Sequence, residues 1–389
     1  MGDHPLPELQ GKTPLQAART PNMDRIAACR IGLLKSIPPG MEPGSDTANL
    51  SLLGYDPKVY HCRRGPFEAA SMGVNVAPDE VAFRMNLVSL NWKGKEDILM
   101  VSHSAGDLSE EEAGPLVEEV KSHLGDSGLT FYQGVGYRHL LIWKNGPVEN
   151  ETLPPHDYLG QNMSPYLSGS PGNPVTALIT RSWAFLKAHP VNAARRAKGL
   201  PEANSIWPWG QDKAPDLPRF SERFHLSGGV ISAVDLIRGI GVYAGFEPIH
   251  VEGATGYLDT NYRGKAEKAL QALERFDFMF VHVEAPDEAG HHGDYREKIQ
   301  AIESFDEKAM GTLLEGMNRF EDYRILVASD HLTPVSLRTH SAEPTPFAWA
   351  AKTDLQKTGG GSGFSEPAAR ASGLLYEEGH RMIVDFFGP

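Results

Sequence analysis

Short apolar runs at 228–232, 278–283 and 323–328 predict buried strands, because a strand covered on one face only would alternate apolar and polar positions. Around them, 264–276 and 295–318 carry apolar residues at helical spacing. Strands alternating with helices predict an α/β fold with a mostly parallel sheet and helices on both faces. Ligands of such sheets collect beyond the carboxyl ends of the strands. The segments after 283 and after 328 are therefore where chemistry is expected.

The pattern changes in the middle of the chain. Short alternating segments (VAFRMNLVSL, DILMVSH, YRHLLIW) are broken by proline-rich stretches at 153–155 and 165–174. This predicts a smaller inserted α/β domain over 75–221, with 1–74 and 222–389 packing together as a core domain. The glycine-rich run 359–364 lacks the Gly-Lys-Ser/Thr ending of a phosphate-binding P-loop and reads as a flexible surface loop.

Composition narrows the function. The 389 residues are 40% hydrophobic, enough to fill the cores of two ordinary domains. A formal net charge of -13 argues against general nucleic-acid binding, which needs cationic surface. It leaves room for a small anionic substrate, because a few local cations reverse the field inside a cleft. No apolar stretch reaches the roughly 18 residues of a membrane span. The N-terminus does not read as a signal peptide, and Cys29 and Cys62 suggest neither a metal knuckle nor a disulfide framework. The cytoplasm is the expected compartment; oligomeric state is left open.

Candidate chemistry stands at the two strand ends. Asp287 and His291, four apart, share one face if a helical turn begins after the strand at 278–283, and a carboxylate with an imidazole can grip a divalent cation. Asp330 and His331 end the strand at 323–328, and His340 follows in the same loop. Each alone reads more readily as a cap, turn or loop residue. Together they supply about the ligands that a two-metal site needs. His292 reads as a bystander and His282 as a packed strand residue. Far upstream, Ser45 in PGSDTANL opens a helix after Gly44. Alone it is an ordinary N-cap serine. Beside two cations, its position where helix N–H groups favour an anion makes it a nucleophile for phosphoryl transfer.

The segments GKTPLQAARTPNMD (11–24), PGSDTANLSLLGYDP (43–57), RGPFEAASMGV (64–74), GATGYLDTNYRGKAE (253–267), VHVEAPDEAGH (281–291) and SDHLTPVSLRTHSAEPTPF (329–347) resemble the archaeal-type 2,3-bisphosphoglycerate-independent phosphoglycerate mutases of the alkaline phosphatase superfamily. The resemblance runs in order along essentially the whole chain. It implies an alkaline-phosphatase-like core and interconversion of 3- and 2-phosphoglycerate, without 2,3-bisphosphoglycerate, through a phosphorylated Ser45. It implies that Asp287, His291 and His340 hold one metal, and Asp330, His331 and Ser45 a second. The ions would be Mn2+ or Mg2+, or alternatively Zn2+ or Co2+. The inserted domain would close over the core, and a small phosphorylated substrate would meet Arg84, Asn86, Arg138 and Asn204 there, with Arg238 and Lys265 in the core.

Rival readings are homoserine kinase, proposed for bacterial proteins that share the segment 191–211, a phosphomonoester hydrolase using the same site, and a non-catalytic descendant. No recognisable ATP-binding motif is present. The sequence also departs from the family pattern, because members begin with an apolar strand ending in Asp-Gly whose aspartate binds the metal shared with Asp330 and His331. Either the recorded start lies too late, which is the favoured reading, or Asp3 substitutes, or one metal site is impaired.

Overall fold

The computed structural model describes residues 1–94, 96–126, 128–169, 172–357 and 363–388. Most of the glycine-rich run expected as a surface loop lies outside them. The chain forms two compact units, one from 1–61 with 216–389 and one from 62–215. Strand β1 (Ile31–Leu34) belongs to the first. The chain then builds β2 (Glu80–Gly94), β3 (Asp97–Ser102), β4 (Leu129–Tyr132), β5 (Arg138–Lys144) and β6 (Ser205–Asp212) in the second. It returns for β7 (Gly228–Ile231), β8 (Glu247–Pro248), β9 (Phe278–Val281), β10 (Arg324–Ala328), β11 (Thr345–Ala351) and β12 (Leu375–Tyr376).

In the second unit β2 is the organising strand, pairing antiparallel with β3, β5 and β6. Successive side chains of a strand point to opposite faces. Val81, Phe83, Met85 and Leu87 therefore enter the main core beneath the helices Glu110–Leu124 and Pro174–Ala188. Arg84 and Asn86 fall on the other face, the side of Ala82. That is why a strand buried almost throughout tolerates a guanidinium and an amide.

The first unit holds two sheets of opposite character. β8, β7 and β9 are parallel. β10, β11, β1 and β12 are mixed, with β11 antiparallel to both β10 and β1. β11 departs from the parallel pattern because no crossover helix precedes it. The chain leaves β10, makes one long loop at the strand's carboxyl end, and comes straight back. That loop carries Asp330, His331 and His340. A long helical run follows β9, from Tyr295 to Gly316, with a π turn at Phe305–Met310. The turn presents Asp306, which accepts from the backbone N–H of Asn22 and Met23 at 3.2 and 2.7 Å. It thus caps the helix Pro21–Ala27, whose own N-cap Thr20 makes no such bond.

β9 and β10 are each the last strand of their sheet. Between them lies a cavity of about 780 Å³, lined by Phe278, Phe280, Ile325, Val327 and Phe386, with Met1 among its lining. One extended strand laid there would join the two sheets. The Met1 amino group and the Gly2 N–H both donate to Ser329 Oγ at 3.1 Å. Asp3, considered above as a substitute metal ligand, is fully engaged elsewhere. Its carboxylate receives Lys298 Nζ at 2.7 Å and the N–H groups of His4 and Val335, and the ion pair is wholly buried. The Asp3 carboxylate is thus committed to Lys298 and to two backbone N–H groups. Among the described residues, no helix is long and apolar enough to cross a membrane.

Candidate active site

Ser45 is the first residue of the helix Ser45–Leu52, which follows an extended Gly44. Its Oγ lies 3.0 Å from His331 Nε2. One turn further along the same face, Asn49 Nδ2 donates to the Ser45 carbonyl at 2.8 Å and to Asp330 Oδ2 at 3.1 Å. A single amide thus ties the helix start to the end of β10. His61 Nε2 pairs with the neighbouring Asp46 at 3.1 Å.

The helix Ala285–His292 begins just after β9, with Pro286 in its first turn, and puts Asp287 and His291 on one face. His291 Nε2 lies 3.2 Å from Asp287 Oδ2 and 3.0 Å from His340 Nε2, and His340 Nε2 lies 3.6 Å from Asp287 Oδ1. One ligand atom from each of these three residues falls within 4.8 Å of the others. Two imidazole nitrogens facing each other across a carboxylate form the donor set of a divalent cation, and these residues fit one. His331 Nε2 is 3.5 Å from Asp330 Oδ2, and its Nδ1 is 3.8 Å from Asp287 Oδ1. Thr333 stitches the two groups together. Its hydroxyl donates to Asp287 Oδ1 and stands 3.3 Å from His331 Nδ1. All six residues expected at the metal and nucleophile positions therefore form one contiguous cluster.

Electrostatics sharpen this arrangement. Burial opposes the Asp287 carboxylate, but hydrogen bonds from His291 and His340 outweigh it and hold the group well below the usual carboxylate range. The same bond from Asp287 lifts His291 to about 9. Burial lowers His331 despite the two neighbouring aspartates, so its nitrogens are free of an extra proton at neutral pH. Burial works against ionised Asp330 too, yet His331 and His282 keep it below its ordinary value.

Other expected residues have different surroundings. His292 pairs with Glu297 on an exposed face. His282 follows β9, bonds Ser232 Oγ at 3.1 Å and Glu284 at 3.2 Å, and is pushed by burial down to about 4. Lys265 is fully buried with Nζ on the His282 carbonyl at 3.2 Å, and burial lowers it to about 8. Arg238 reaches Asp235 at 3.4 Å on its own helix. In the second unit, Asn86 donates to the His103 carbonyl and accepts from Trp209 Nε1. Arg84 is buried against Glu68 at 2.8 Å, and Arg138 lies half-buried at the start of β5. Asn204, expected among the substrate contacts, clamps its segment to β2, because its amide accepts from the N–H and donates to the carbonyl of Leu90. Asn49 and Thr333 were missed from sequence. The spacing of Ser45 and Asn49, one helical turn apart, was the available signal for the first. Nothing local marks the second.

An α/β core that gathers a helix-start serine, two aspartates and three histidines at strand ends is of the alkaline-phosphatase-like, phosphoryl-transferring class. A family model for 2,3-bisphosphoglycerate-independent phosphoglycerate mutase matches residues 27–192, and one for type I phosphodiesterase / nucleotide pyrophosphatase matches 172–344. The chain is 48% identical to a probable 2,3-bisphosphoglycerate-independent phosphoglycerate mutase of Geobacter sulfurreducens, covering 98% of this chain and 96% of that protein. It is 49% identical to the corresponding mutase of Methanosarcina barkeri, covering 96% and 94%. A solved structure of the cofactor-independent phosphoglycerate mutase of Thermoplasma acidophilum superposes with a TM-score of 0.62 at 25% identity, over 100% of this chain and 97% of that one. The chain belongs to the 2,3-bisphosphoglycerate-independent phosphoglycerate mutase family.

Proposed function

We propose that the protein interconverts 3-phosphoglycerate and 2-phosphoglycerate through a phosphoserine at position 45, in the cytoplasm and with manganese or magnesium. The observation that carries this reading is Ser45 Oγ at 3.0 Å from His331, inside a cluster with Asp287, His291, Asp330 and His340. Asp287, His291 and His340 would hold one cation, and Asp330, His331 and Ser45 another. Cations bound there supply charge neutralisation for the phosphoryl oxygens and for the serine oxygen.

The chain's own groups do the rest. Ser45 Oγ attacks phosphorus, and the bond from phosphorus to the glycerate oxygen breaks. The neighbouring glycerate hydroxyl then takes the phosphoryl group, releasing Ser45. The helix N-terminus beneath Ser45 favours the anion at every stage. Asn49 keeps Ser45 aligned with Asp330. The related proteins compared above carry the mutase name, and nothing in the cluster favours a kinase acting on homoserine.

The test is phosphorus NMR on 3-phosphoglycerate with added Mn2+. The parent should form 2-phosphoglycerate, and Ser45→Ala should lose at least about 10⁴-fold in rate. Mass spectrometry of the parent under turnover should find phosphate on Ser45. Equal rates for parent and Ser45→Ala would overturn the assignment. Inorganic phosphate appearing in place of 2-phosphoglycerate would make the protein a hydrolase.

A further inference from the structure

The ligand cluster is assembled from separate stretches of chain that must be held in register. Asp287 and His291 lie on the helix Ala285–His292, whereas Asp330, His331 and His340 lie on the loop after β10. A buried ion pair, itself outside the cluster, joins the two. Gly293 ends the first helix in the left-handed region, at φ 76°, and Asp294 caps the next, Tyr295–Ser304. Lys298 therefore sits on a helix packed against the one that bears Asp287 and His291. Its Nζ donates to the Thr333 carbonyl at 2.8 Å, to the Gly2 carbonyl at 3.0 Å and to Asp3 Oδ2 at 2.7 Å. Asp3 in turn accepts from the Val335 N–H through both of its oxygens, at 3.3 and 3.2 Å. Pro334, between these positions, has no N–H to compete. The pair thus grips the stretch 333–335 by a carbonyl on one side and an N–H on the other.

The bonding around Lys298 is complete. Three acceptors use all three hydrogens of an ammonium, and a neutral amine would leave one of them unmet. Burial works against that charge, while Asp3, and behind it Asp287, support it. Asp3 is anchored from elsewhere in the unit. Its own N–H donates to Glu366 Oε1 at 3.1 Å, and Thr13 Oγ donates to Glu366 Oε2 at 2.7 Å. From Thr333 the hold reaches the ligands directly. Its hydroxyl donates to Asp287 Oδ1, and a side chain at Gly290 would collide with its carbonyl, so the helix Ala285–His292 lies against the gripped peptide. At the far end of the loop, His291 Nδ1 stands 3.1 Å from the Arg338 carbonyl. The ion pair fixes one end of the loop and His291 the other. A buried ion pair adds little net stability over apolar residues of the same volume, but its bonds are directional.

We propose that the Asp3–Lys298 pair is a positioning clamp for the loop 330–340, setting the distance between its ligands and those of the helix Ala285–His292. The clamp rests on the reading of the cluster as a cation site, and not on the mutase chemistry. Lys298 and Asp3 hold no cation and touch no substrate. They act through Thr333 and Val335. Their opposite charges nearly cancel at the cluster, so the pair can fix geometry without shifting the local field in either direction. Either charge alone would shift it.

The test compares the full chain with Asp3→Asn, Lys298→Met and the double variant, reading Mn2+ affinity by chelator competition and ligand geometry by the visible absorption of bound Co2+. The double variant removes both charges and conserves volume, so its urea midpoint should stay near the parent's. It should nevertheless bind Mn2+ about tenfold more weakly, with displaced Co2+ bands, because the Thr333 carbonyl has lost its donor. If the pair acted only through its field, Lys298→Met would tighten Mn2+ binding, Asp3→Asn would weaken it, and the double variant would return to the parent. That pattern, or a folded double variant with parental affinity and Co2+ bands, overturns the clamp. Should the double variant not fold, the isosteric Asp3→Asn decides by its Co2+ bands: displaced bands support the clamp and parental bands refute it. A parent that takes up no Mn2+ removes the cation reading and the clamp together. Metal affinity that follows the pair in a protein without mutase turnover retains the clamp and removes the mutase reading.

Discussion

His291 shows how one contact sets a dependence on pH. Its imidazole is lifted to about 9 by Asp287, so at neutral pH without metal it carries a proton on the nitrogen position that a cation would need. Binding must expel that proton. Affinity for Mn2+ should therefore rise about tenfold per pH unit between roughly 6.5 and 9, then level off. Metal titrations at stepped pH check this, and a flat profile over that range would refute it. Thr333 acts one layer further out, its hydroxyl bonding Asp287 and standing close to His331. Thr333→Val should reduce metal affinity by about 10- to 100-fold while leaving Ser45 intact, measurable by competition with a chelator. The aspartates and histidines of the cluster were visible in sequence because they stand at strand ends, two of them at helical spacing. Thr333 was not, because a threonine in a loop acquires meaning only from what the fold brings beside it.

Among the elements, the helical run after β9 shows where periodicity misleads. The apolar pattern over 295–318 predicts one uninterrupted helix, yet a π turn interrupts it at Phe305–Met310. The segment FDEKAM contains neither proline nor glycine to announce the change. The turn is stabilised from outside, because Asp306 caps the helix Pro21–Ala27 through bonds to Asn22 and Met23. Asp306→Ala should destabilise the protein by about 2–3 kcal/mol, since the cap donors would be left without an acceptor. Asp306→Asn, keeping one acceptor oxygen, should lose less. Urea denaturation of the two variants decides, and equal stability to the parent would mean the π turn is held by packing alone. β11 illustrates a similar limit. Only the absence of a crossover before it decides that it runs against β10.

Across the whole molecule, every residue of the metal and nucleophile cluster comes from the unit formed by 1–61 and 216–389, whereas 62–215 owns a separate hydrophobic core. Ligand linkage then acts on one unit only. Calorimetry should resolve two unfolding transitions, and Mn2+ at about a hundred times its Kd should stabilise one of them by about 2.7 kcal/mol and leave the other in place. A single transition that moves as a whole would contradict this. The change of rhythm along the chain gave an expected inserted region over 75–221, and the compact unit in the structure spans 62–215. The cavity between β9 and β10 was not legible, because it depends on two strands far apart in sequence both ending their sheets.

That cavity bears on how the protein is handled. Met1 lines it, its amino group bonded to Ser329 and penalised by burial for staying charged. Whatever is fused ahead of Met1 must start from there. A strand-forming apolar leader would find two rows of backbone groups ready to bond it, whereas a charged purification tag would enter as a wedge. Preparations differing only in their leader sequence should therefore differ in melting temperature, which thermal denaturation of the two checks.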